Sequence, residues 1–146
     1  MITVERALPE DAAVFAMLEQ APDTREYVAS YSEAVHQARM DEPDMVYLRI
    51  LQEGALAGFF ILALDPDGRS IEFRRVVVAT ERRGIGQAAI RAMENFCRAE
   101  LLRPRIWLDV FEDNHRGRHI YAKLGYRHFG RGSYDGRPLL LYEKDL

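Results

Sequence analysis

The hydrophobic residues of this chain recur with two different periods, and each change of period marks a boundary between a strand and a helix. Residues 2–6 alternate apolar and polar side chains, which is typical of a short strand with one buried face. Pro9 follows, and proline is favoured in the first turn of a helix. Phe15 and Leu18 then share one helical face, so the pattern predicts a helix over residues 9–20.

Helical spacing, runs of apolar and β-branched residues, and turn sequences between them predict the remaining elements. In chain order, these are a helix over residues 24–40, strands over residues 45–52, 56–64 and 70–78, a helix over residues 84–102, a strand over residues 105–112, a helix over residues 114–124, and strands over residues 126–133 and 138–144. The strand–helix–strand connection within residues 70–112 makes its two strands parallel neighbours. We therefore predict an α/β (α+β) domain whose mixed, largely antiparallel sheet contains one central parallel crossover.

Composition narrows the class of protein. A chain of 146 residues with 48% hydrophobic and 29% charged residues is typical of one soluble globular domain, here residues 1–146. The net charge of −3 argues against a nucleic-acid binder. The single cysteine, Cys97, fits a reducing cytoplasm, and we expect it to pack in the core. We also expect no signal peptide, no membrane segment and no metal, since the four histidines lack ligand spacing.

A glycine-bearing turn lies between the valine-rich strand and the helix over residues 84–102. Its sequence is Arg82-Arg83-Gly84-Ile85-Gly86-Gln87. The first N–H groups of a helix lack helical partners and carry partial positive charge, so such a turn is a natural phosphate site. It lacks the Gly-Lys-Ser/Thr of a P-loop and the third glycine of the dinucleotide fingerprint. A tight connection without a ligand explains the two glycines equally well.

This turn resembles the acetyl-CoA pyrophosphate loop of the GNAT superfamily of N-acetyltransferases, usually written Gln/Arg-x-x-Gly-x-Gly/Ala. Glu81 stands at its first position, where the family has a cation or an amide. The resemblance implies that the pyrophosphate is held by the backbone of the turn. The cofactor-binding residues it indicates are Arg82, Arg83, Gly84, Ile85, Gly86 and Gln87.

A second motif is similar to the other hallmark of that superfamily, Asn-x-x-Ala-x-x-x-Tyr-x-x-x-Gly-Phe. Asn114, Tyr121 and Gly125 match it, while Gly117 replaces the alanine and Tyr126 the phenylalanine. The resemblance implies that Asn114 contacts the pantetheine arm and that Tyr121 faces the thioester sulfur. The preceding Trp-Leu-Asp-Val-Phe resembles the branch that contains ribosomal-protein N-terminal acetyltransferases. Arg116 and Arg118 either reach the phosphoadenosine end of coenzyme A or belong to a solvated helix face.

The chemistry of acetyl transfer assigns roles to further residues. If the strand before the turn parts from its neighbour, N–H groups of Val76 and Val78 are free to hold the pantetheine and polarise the thioester carbonyl. A carboxylate must help deprotonate the amine, and Asp109 and Glu72 are the two candidates, although either can be an ordinary ion-pair partner. Tyr121 is predicted to protonate the departing thiolate, and the alternative is a purely packed aromatic ring.

We therefore predict an acetyl-CoA-dependent N-acetyltransferase, monomeric or homodimeric, that acetylates a primary amine of a small molecule or a protein N-terminus. The alternative is a non-catalytic acetyl-CoA-binding sensor or interaction module. The acceptor surface is expected to come from the helix over residues 24–40, the acidic connector Asp41, Glu42 and Asp44, and the last hairpin. If the connector rims the site, it favours cationic acceptors.

Overall fold

A mixed sheet forms the frame of the protein. In the computed structural model, which describes residues 1–21, 29–82 and 84–146, it contains seven strands. These are β1 (Ile2–Arg6), β2 (Met45–Gln52), β3 (Ala55–Leu64), β4 (Ser70–Val78), β5 (Arg105–Phe111), β6 (Arg127–Tyr134) and β7 (Arg137–Asp145). They lie in the order β1-β2-β3-β4-β5-β7-β6. Only β4 and β5 are parallel, so the predicted fold class is confirmed.

The described helices cover the two faces of this sheet. They are α1 (Asp11–Leu18), α2 (Glu33–Met40), α3 (Gly86–Ala99) and α4 (His115–Lys123). None of them is long and apolar enough to cross a bilayer. The apolar side of α3 packs on one face of the sheet through Ala89, Met93 and Cys97. Burial raises the pKa of the Cys97 thiol to about 12, which confirms a packing residue.

An aromatic cluster fills the opposite face of the sheet beneath α1. Phe15 stacks on Phe59 of β3 with ring centroids 4.2 Å apart, and Tyr47 of β2 lies parallel to the same ring. All three side chains are buried. The helix predicted over residues 9–20 is thus held on the sheet by Phe15, which packs on side chains of β2 and β3, although the helix spans only Asp11–Leu18.

Two predicted helices differ from the structure near their starts. Of the helix predicted over residues 24–40, residues 29–32 are not helical, and α2 begins at Glu33, where the Ser32 hydroxyl caps it by accepting from the Val35 N–H at 3.2 Å. Residues 22–28 lie outside the described part of the chain. The helix predicted over residues 84–102 begins at Gly86, because Gly84 has a φ of +96° and no α-helix continues through that conformation.

The parallel pair β4–β5 separates soon after it starts. Pairing joins residues 70–72 of β4 with residues 105–107 of β5 and goes no further. Beyond this point β4 continues to Val78 beside β3 alone, and β5 continues to Phe111 beside β7 alone. The sheet therefore opens at its centre, on the side toward which both strands run.

Candidate active site

A cleft of about 1000 Å³ occupies the opening between β4 and β5. Its walls come from β4, β5, the glycine turn, α4 and the segment before α2. Nine of the residues selected from the sequence line it: Glu72, Val76, Val78, Gly84, Gly86, Gln87, Asp109, Asn114 and Tyr121. The fold thus gathers residues that are up to 49 positions apart in the sequence, from 72 to 121, around one cavity.

The glycine turn contributes only part of the predicted phosphate cradle. Gly84, Gly86 and Gln87 face the cleft, and α3 has no side-chain cap among the described residues at its N-terminus. Arg82 is directed elsewhere: its N–H donates to the Ala79 carbonyl at 2.8 Å and its guanidinium to Gln52 at 3.0 Å.

Two further residues of the turn, Ile85 and Arg83, were predicted to bind the cofactor. The Ile85 side chain is buried in the core, and Arg83 lies outside the described residues. Glu81 sits exposed in the short 3-10 turn Thr80–Arg82 and does not line the cleft formed by the described residues.

The edge of β4 presents backbone donors to the opening. The Ala79 N–H donates to the Ala57 carbonyl of β3 at 2.8 Å. Because successive N–H groups of a strand alternate in direction, those of Val78 and Val76 face away from β3, toward the gap left by β5. Gly58 permits this arrangement, since a Cβ there would lie 2.2 Å from the Val77 carbonyl oxygen. The sequence analysis did not identify Gly58. The available signal was a glycine inside a predicted strand, which often marks the close approach of another stretch of backbone.

Asn114 caps α4 with one end of its amide. Its Oδ1 accepts from the Gly117 N–H at 3.0 Å, so its Nδ2 keeps its hydrogen atoms for the cleft. A Cβ at position 117 would lie 2.8 Å from Nδ2, which means that the glycine in place of the motif's alanine leaves room for this cap. Arg116 also lines the cleft, whereas Arg118 turns away and donates to the Glu112 carbonyl at 2.9 Å.

Tyr121 lies two turns further along α4, on the same side as Asn114. Its ring packs edge-on against Phe73 at 5.9 Å and Tyr126 at 5.8 Å between centroids. Burial, with a smaller contribution from the charge of Asp109, raises the pKa of Tyr121 to about 12. The hydroxyl therefore stays protonated at neutral pH and is available as a proton donor.

The two candidate carboxylates differ in their surroundings. Glu72 accepts a 2.9 Å hydrogen bond from Arg74 Nε, so its charge is already paired. Asp109 has no hydrogen-bond or ion-pair partner within the described ranges. Partial desolvation in the cleft raises its pKa, and the charge of Arg74 only partly opposes this. Of the two carboxylates, Asp109 is thus the one without an ion-pair partner among the described residues.

Cationic side chains that the sequence analysis did not assign to the site also line the cleft. Tyr31, Arg39, Arg74 and Arg75 line it, whereas Asp41, Glu42 and Asp44 do not belong to the lining given by the described residues. The charge of Asp44 nevertheless acts on Arg74 in the cleft wall, and a rim that collects cations stays a prediction. The sequence analysis missed Arg39 and Arg75 as cleft residues because a helical or strand pattern does not show which polar side chains face a cavity.

Comparisons with known proteins agree with this geometry. The family model for the acetyltransferase (GNAT) family matches residues 12–126, so the chain belongs to that family. The predicted family and enzyme class, an acetyltransferase, are confirmed. The match does not resolve the ribosomal-protein branch. No curated protein sequence matches the chain.

Solved structures of low sequence identity share the fold. One is an aminoglycoside acetyltransferase, AAC(6')-Ib, in complex with coenzyme A, with a TM-score of 0.85, 13% identity, and coverage of 99% of this chain and 95% of that one. Another is spermidine N-acetyltransferase from Vibrio cholerae in complex with CoA and spermine, with a TM-score of 0.82, 17% identity, and coverage of 99% and 95%. The Vibrio enzyme has also been solved as a dodecamer, at 17% identity and a TM-score of 0.78 over 99% of this chain and 93% of that one.

Proposed function

We propose that this protein transfers the acetyl group of acetyl-CoA to a primary amine. The observation that carries the proposal is the opening between β4 and β5, where an uncapped helix start, free strand donors, Asn114 and Tyr121 meet in one cleft. Two structural neighbours were solved with coenzyme A, and their named acceptors, aminoglycosides and spermidine, are amines. The bound coenzyme A and the amine acceptors of these neighbours support acetyl-CoA as the donor and an amine as the acceptor for this protein.

Acetyl-CoA would bind along this opening in an extended form. The N–H groups of the turn at Gly84, Gly86 and Gln87 suit the pyrophosphate, because a helix start attracts anions. The strand donors of Val76 and Val78 suit the pantetheine amides and the thioester carbonyl. Arg82 does not contribute its backbone to this cradle, since its N–H is already used within the 3-10 turn.

The residues around the thioester divide the proton transfers between them. Asp109, directly or through a water molecule, takes a proton from the acceptor ammonium group, and the neutral amine attacks the thioester carbonyl carbon. The N–H groups at the β4 edge stabilise the negative charge that grows on the carbonyl oxygen. As the carbon–sulfur bond breaks, the Tyr121 hydroxyl donates its proton to the sulfur, which leaves as the free thiol of coenzyme A. The nitrogen of the new amide gives up its remaining extra proton, which restores the Tyr121 hydroxyl, and Asp109 releases its proton to solvent.

The acceptor remains open within this proposal. A small-molecule amine and a protein N-terminus both fit the reaction, and the resemblance to the ribosomal-protein branch keeps the second alternative in place. Cytoplasmic location and a monomer or homodimer stay predictions.

Thiol release tests the proposal and the role of Tyr121 together. With acetyl-CoA and a panel of small amines and peptides, the wild-type protein should release free thiol in proportion to acetylated amine. Tyr121→Phe removes only the proton donor, so turnover should fall roughly 10²–10⁴-fold while acetyl-CoA affinity, measured by calorimetry, stays unchanged. The thiolate of coenzyme A is already a fair leaving group, which favours the lower end of this range.

Tyr126→Phe is the matched control. The Tyr126 hydroxyl donates to Glu94 at 2.8 Å behind the cleft, so its loss should reduce stability by about 1 kcal/mol and leave turnover within a few-fold. Equal turnover of Tyr121→Phe and wild type would reduce Tyr121 to a packing residue. If acetyl-CoA binds but no amine in the panel releases thiol, the protein is instead the non-catalytic acetyl-CoA-binding module.

A further inference from the structure

An aromatic–cationic platform forms the acceptor wall of the cleft. It consists of Tyr31, Arg39 and Arg75, all of which line the cavity. The guanidinium carbon of Arg39 lies 4.7 Å from the centroid of the Tyr31 ring, and that of Arg75 lies 4.4 Å from it. Both cations are therefore within cation–π distance of the same ring.

A buried carboxylate fixes one half of this platform. Glu19 is 0% exposed, forms an ion pair with Arg75 and accepts the Tyr31 N–H at 3.0 Å. It also accepts from His36 Nε2 at 2.7 Å. Although burial alone would raise the pKa of Glu19, the bonds from His36 and Tyr31 and the charge of Arg75 outweigh it and lower the pKa. Glu19 is therefore charged at neutral pH, and it holds both the Arg75 side chain and the Tyr31 backbone.

Arg39, the other cation of the platform, has no anionic partner among the described residues. Its Nε is buried and has no hydrogen-bond acceptor, and no carboxylate of the described residues pairs with its guanidinium. Leaving a buried donor unsatisfied is costly, and more so for a charged group. Of the two carboxylates that line the cleft, Glu72 is paired with Arg74 and Asp109 belongs to the reaction. Among the described residues, no anion is therefore paired with Arg39.

We propose that Arg39, with Arg75 and Tyr31 beside it, is an oxyanion subsite for the acceptor, and that the acceptor is a small amine that also carries a carboxylate or phosphate group. This inference rests on the proposed function, since it describes the second substrate of the same reaction. The planar guanidinium fork binds either oxyanion through two parallel N–H bonds. The amine end of such a substrate lies toward Asp109 and its anionic end toward Arg39. This selectivity is opposite to that of enzymes named for spermidine or aminoglycosides, whose acceptors are polycations.

Acceptors that differ only in their far end test the subsite. γ-Aminobutyrate, butylamine and putrescine share a four-carbon chain and end in a carboxylate, a methyl group and a second ammonium group. β-Alanine and propylamine repeat the comparison on a shorter chain, and O-phosphoethanolamine and ethanolamine do so for phosphate. We expect kcat/KM for at least one anionic member to exceed that of its uncharged counterpart roughly ten- to hundredfold, the value of a charged hydrogen bond. The preferred oxyanion is the one, carboxylate or phosphate, that gives the larger increase of kcat/KM over its uncharged counterpart.

Variants at position 39 link that preference to the platform. Arg39→Gln should bring the ratio of anionic to uncharged acceptor close to one, and Arg39→Lys should restore part of it. Arg98→Gln is the matched control, because Arg98 is exposed on α3, outside the cleft, and donates to Asn95 at 2.7 Å. It should leave the ratio at the wild-type value.

The outcomes separate the subsite from the reaction itself. Turnover of amines without a preference for the anionic members, or a preference that survives in Arg39→Gln, overturns the subsite and leaves acetyl transfer intact. If no amine is acetylated, the proposed function fails. Calorimetry with γ-aminobutyrate and O-phosphoethanolamine in the presence of coenzyme A then decides the subsite. Binding that exceeds that of the uncharged counterparts and is lost in Arg39→Gln sustains it, and equal binding overturns it.

Discussion

At the residue scale, Asp109 and Tyr121 line the same cleft and have complementary protonation. The raised pKa of Tyr121, about 12, keeps its hydroxyl protonated at neutral pH. The raised pKa of Asp109 makes its carboxylate more basic than an ordinary aspartate. Since one group must donate a proton and the other must accept one, this difference between them is what acetyl transfer requires.

The pH dependence of turnover should identify the base. Because the deprotonated form of Asp109 is the active one, kcat/KM should rise with pH through the raised pKa of Asp109. Asp109→Asn should remove this rising limb and lower kcat/KM roughly 10²–10⁴-fold at neutral pH. Glu72→Gln, the same change at the carboxylate paired with Arg74, should retain the limb. The increase of kcat/KM that comes from deprotonation of the free acceptor amine should remain in every variant. If the rise of kcat/KM at low pH disappears in Glu72→Gln but remains in Asp109→Asn, the base is Glu72 instead.

Sequence reasoning located individual site residues unequally well. Asn114 and Tyr121 line the cleft because a seven-residue spacing on a helix places both on one side. Arg82 does not, because the short 3-10 turn uses its N–H and Gln52 binds its guanidinium. The backbone angles of a turn decide which of its N–H groups form hydrogen bonds within the turn. The positions of glycines in the sequence do not give those angles.

At the element scale, the start of α3 should bind the cofactor pyrophosphate. Gly84 is a poor probe of this site, since its φ of +96° strains any other residue. Gly86 has no positive φ, and a Cβ there would meet nothing within 4 Å. A side chain at position 86 therefore costs the free protein little but occupies space beside the cleft.

Gly86→Val should consequently weaken acetyl-CoA binding at least tenfold without lowering the melting temperature. Calorimetry and thermal unfolding of the same samples measure the two effects. Gly132→Val on the edge strand β6 is the matched control, because a Cβ there also meets nothing within 4 Å and the residue lies outside the cleft. Undiminished affinity in a folded Gly86→Val protein would move the pyrophosphate away from this turn.

The elements themselves were largely predictable, and their ends were not. The pattern of residues 70–112 predicted the parallel crossover, and alternation predicted β4 within its observed bounds, Ser70–Val78. It did not show that pairing with β5 stops after residue 72. Beyond that residue β4 remains paired with β3 and β5 with β7, each on its other edge, and such registers depend on residues that are distant in sequence.

At the scale of the whole molecule, one buried polar network ties α1, α2 and the sheet to the cleft. His36 bridges Glu19 at 2.7 Å and Tyr47 at 2.8 Å, and Glu19 holds Arg75 in the cleft wall. Burial raises the pKa of Tyr47, so its hydroxyl remains a neutral partner in this network. These residues are 11 to 56 positions apart, and no local period relates them, so the sequence analysis did not find the network.

The acid stability of the protein should depend on this network through Glu19. The folded state lowers the pKa of Glu19 below its ordinary 4.5, so its stabilisation is complete above about pH 4.5 and is lost as the pH falls through the lowered value. Glu19→Gln breaks a buried ion pair and should cost about 3–5 kcal/mol of unfolding free energy at neutral pH. Urea unfolding at a series of pH values measures both effects, and the loss of stability in acid should be smaller in the variant.

Glu100→Gln, at the exposed end of α3, should change stability by less than about 0.5 kcal/mol and keep the wild-type pH profile. If Glu19→Gln and wild type lose stability in parallel on acidification, the acid sensitivity comes from other carboxylates.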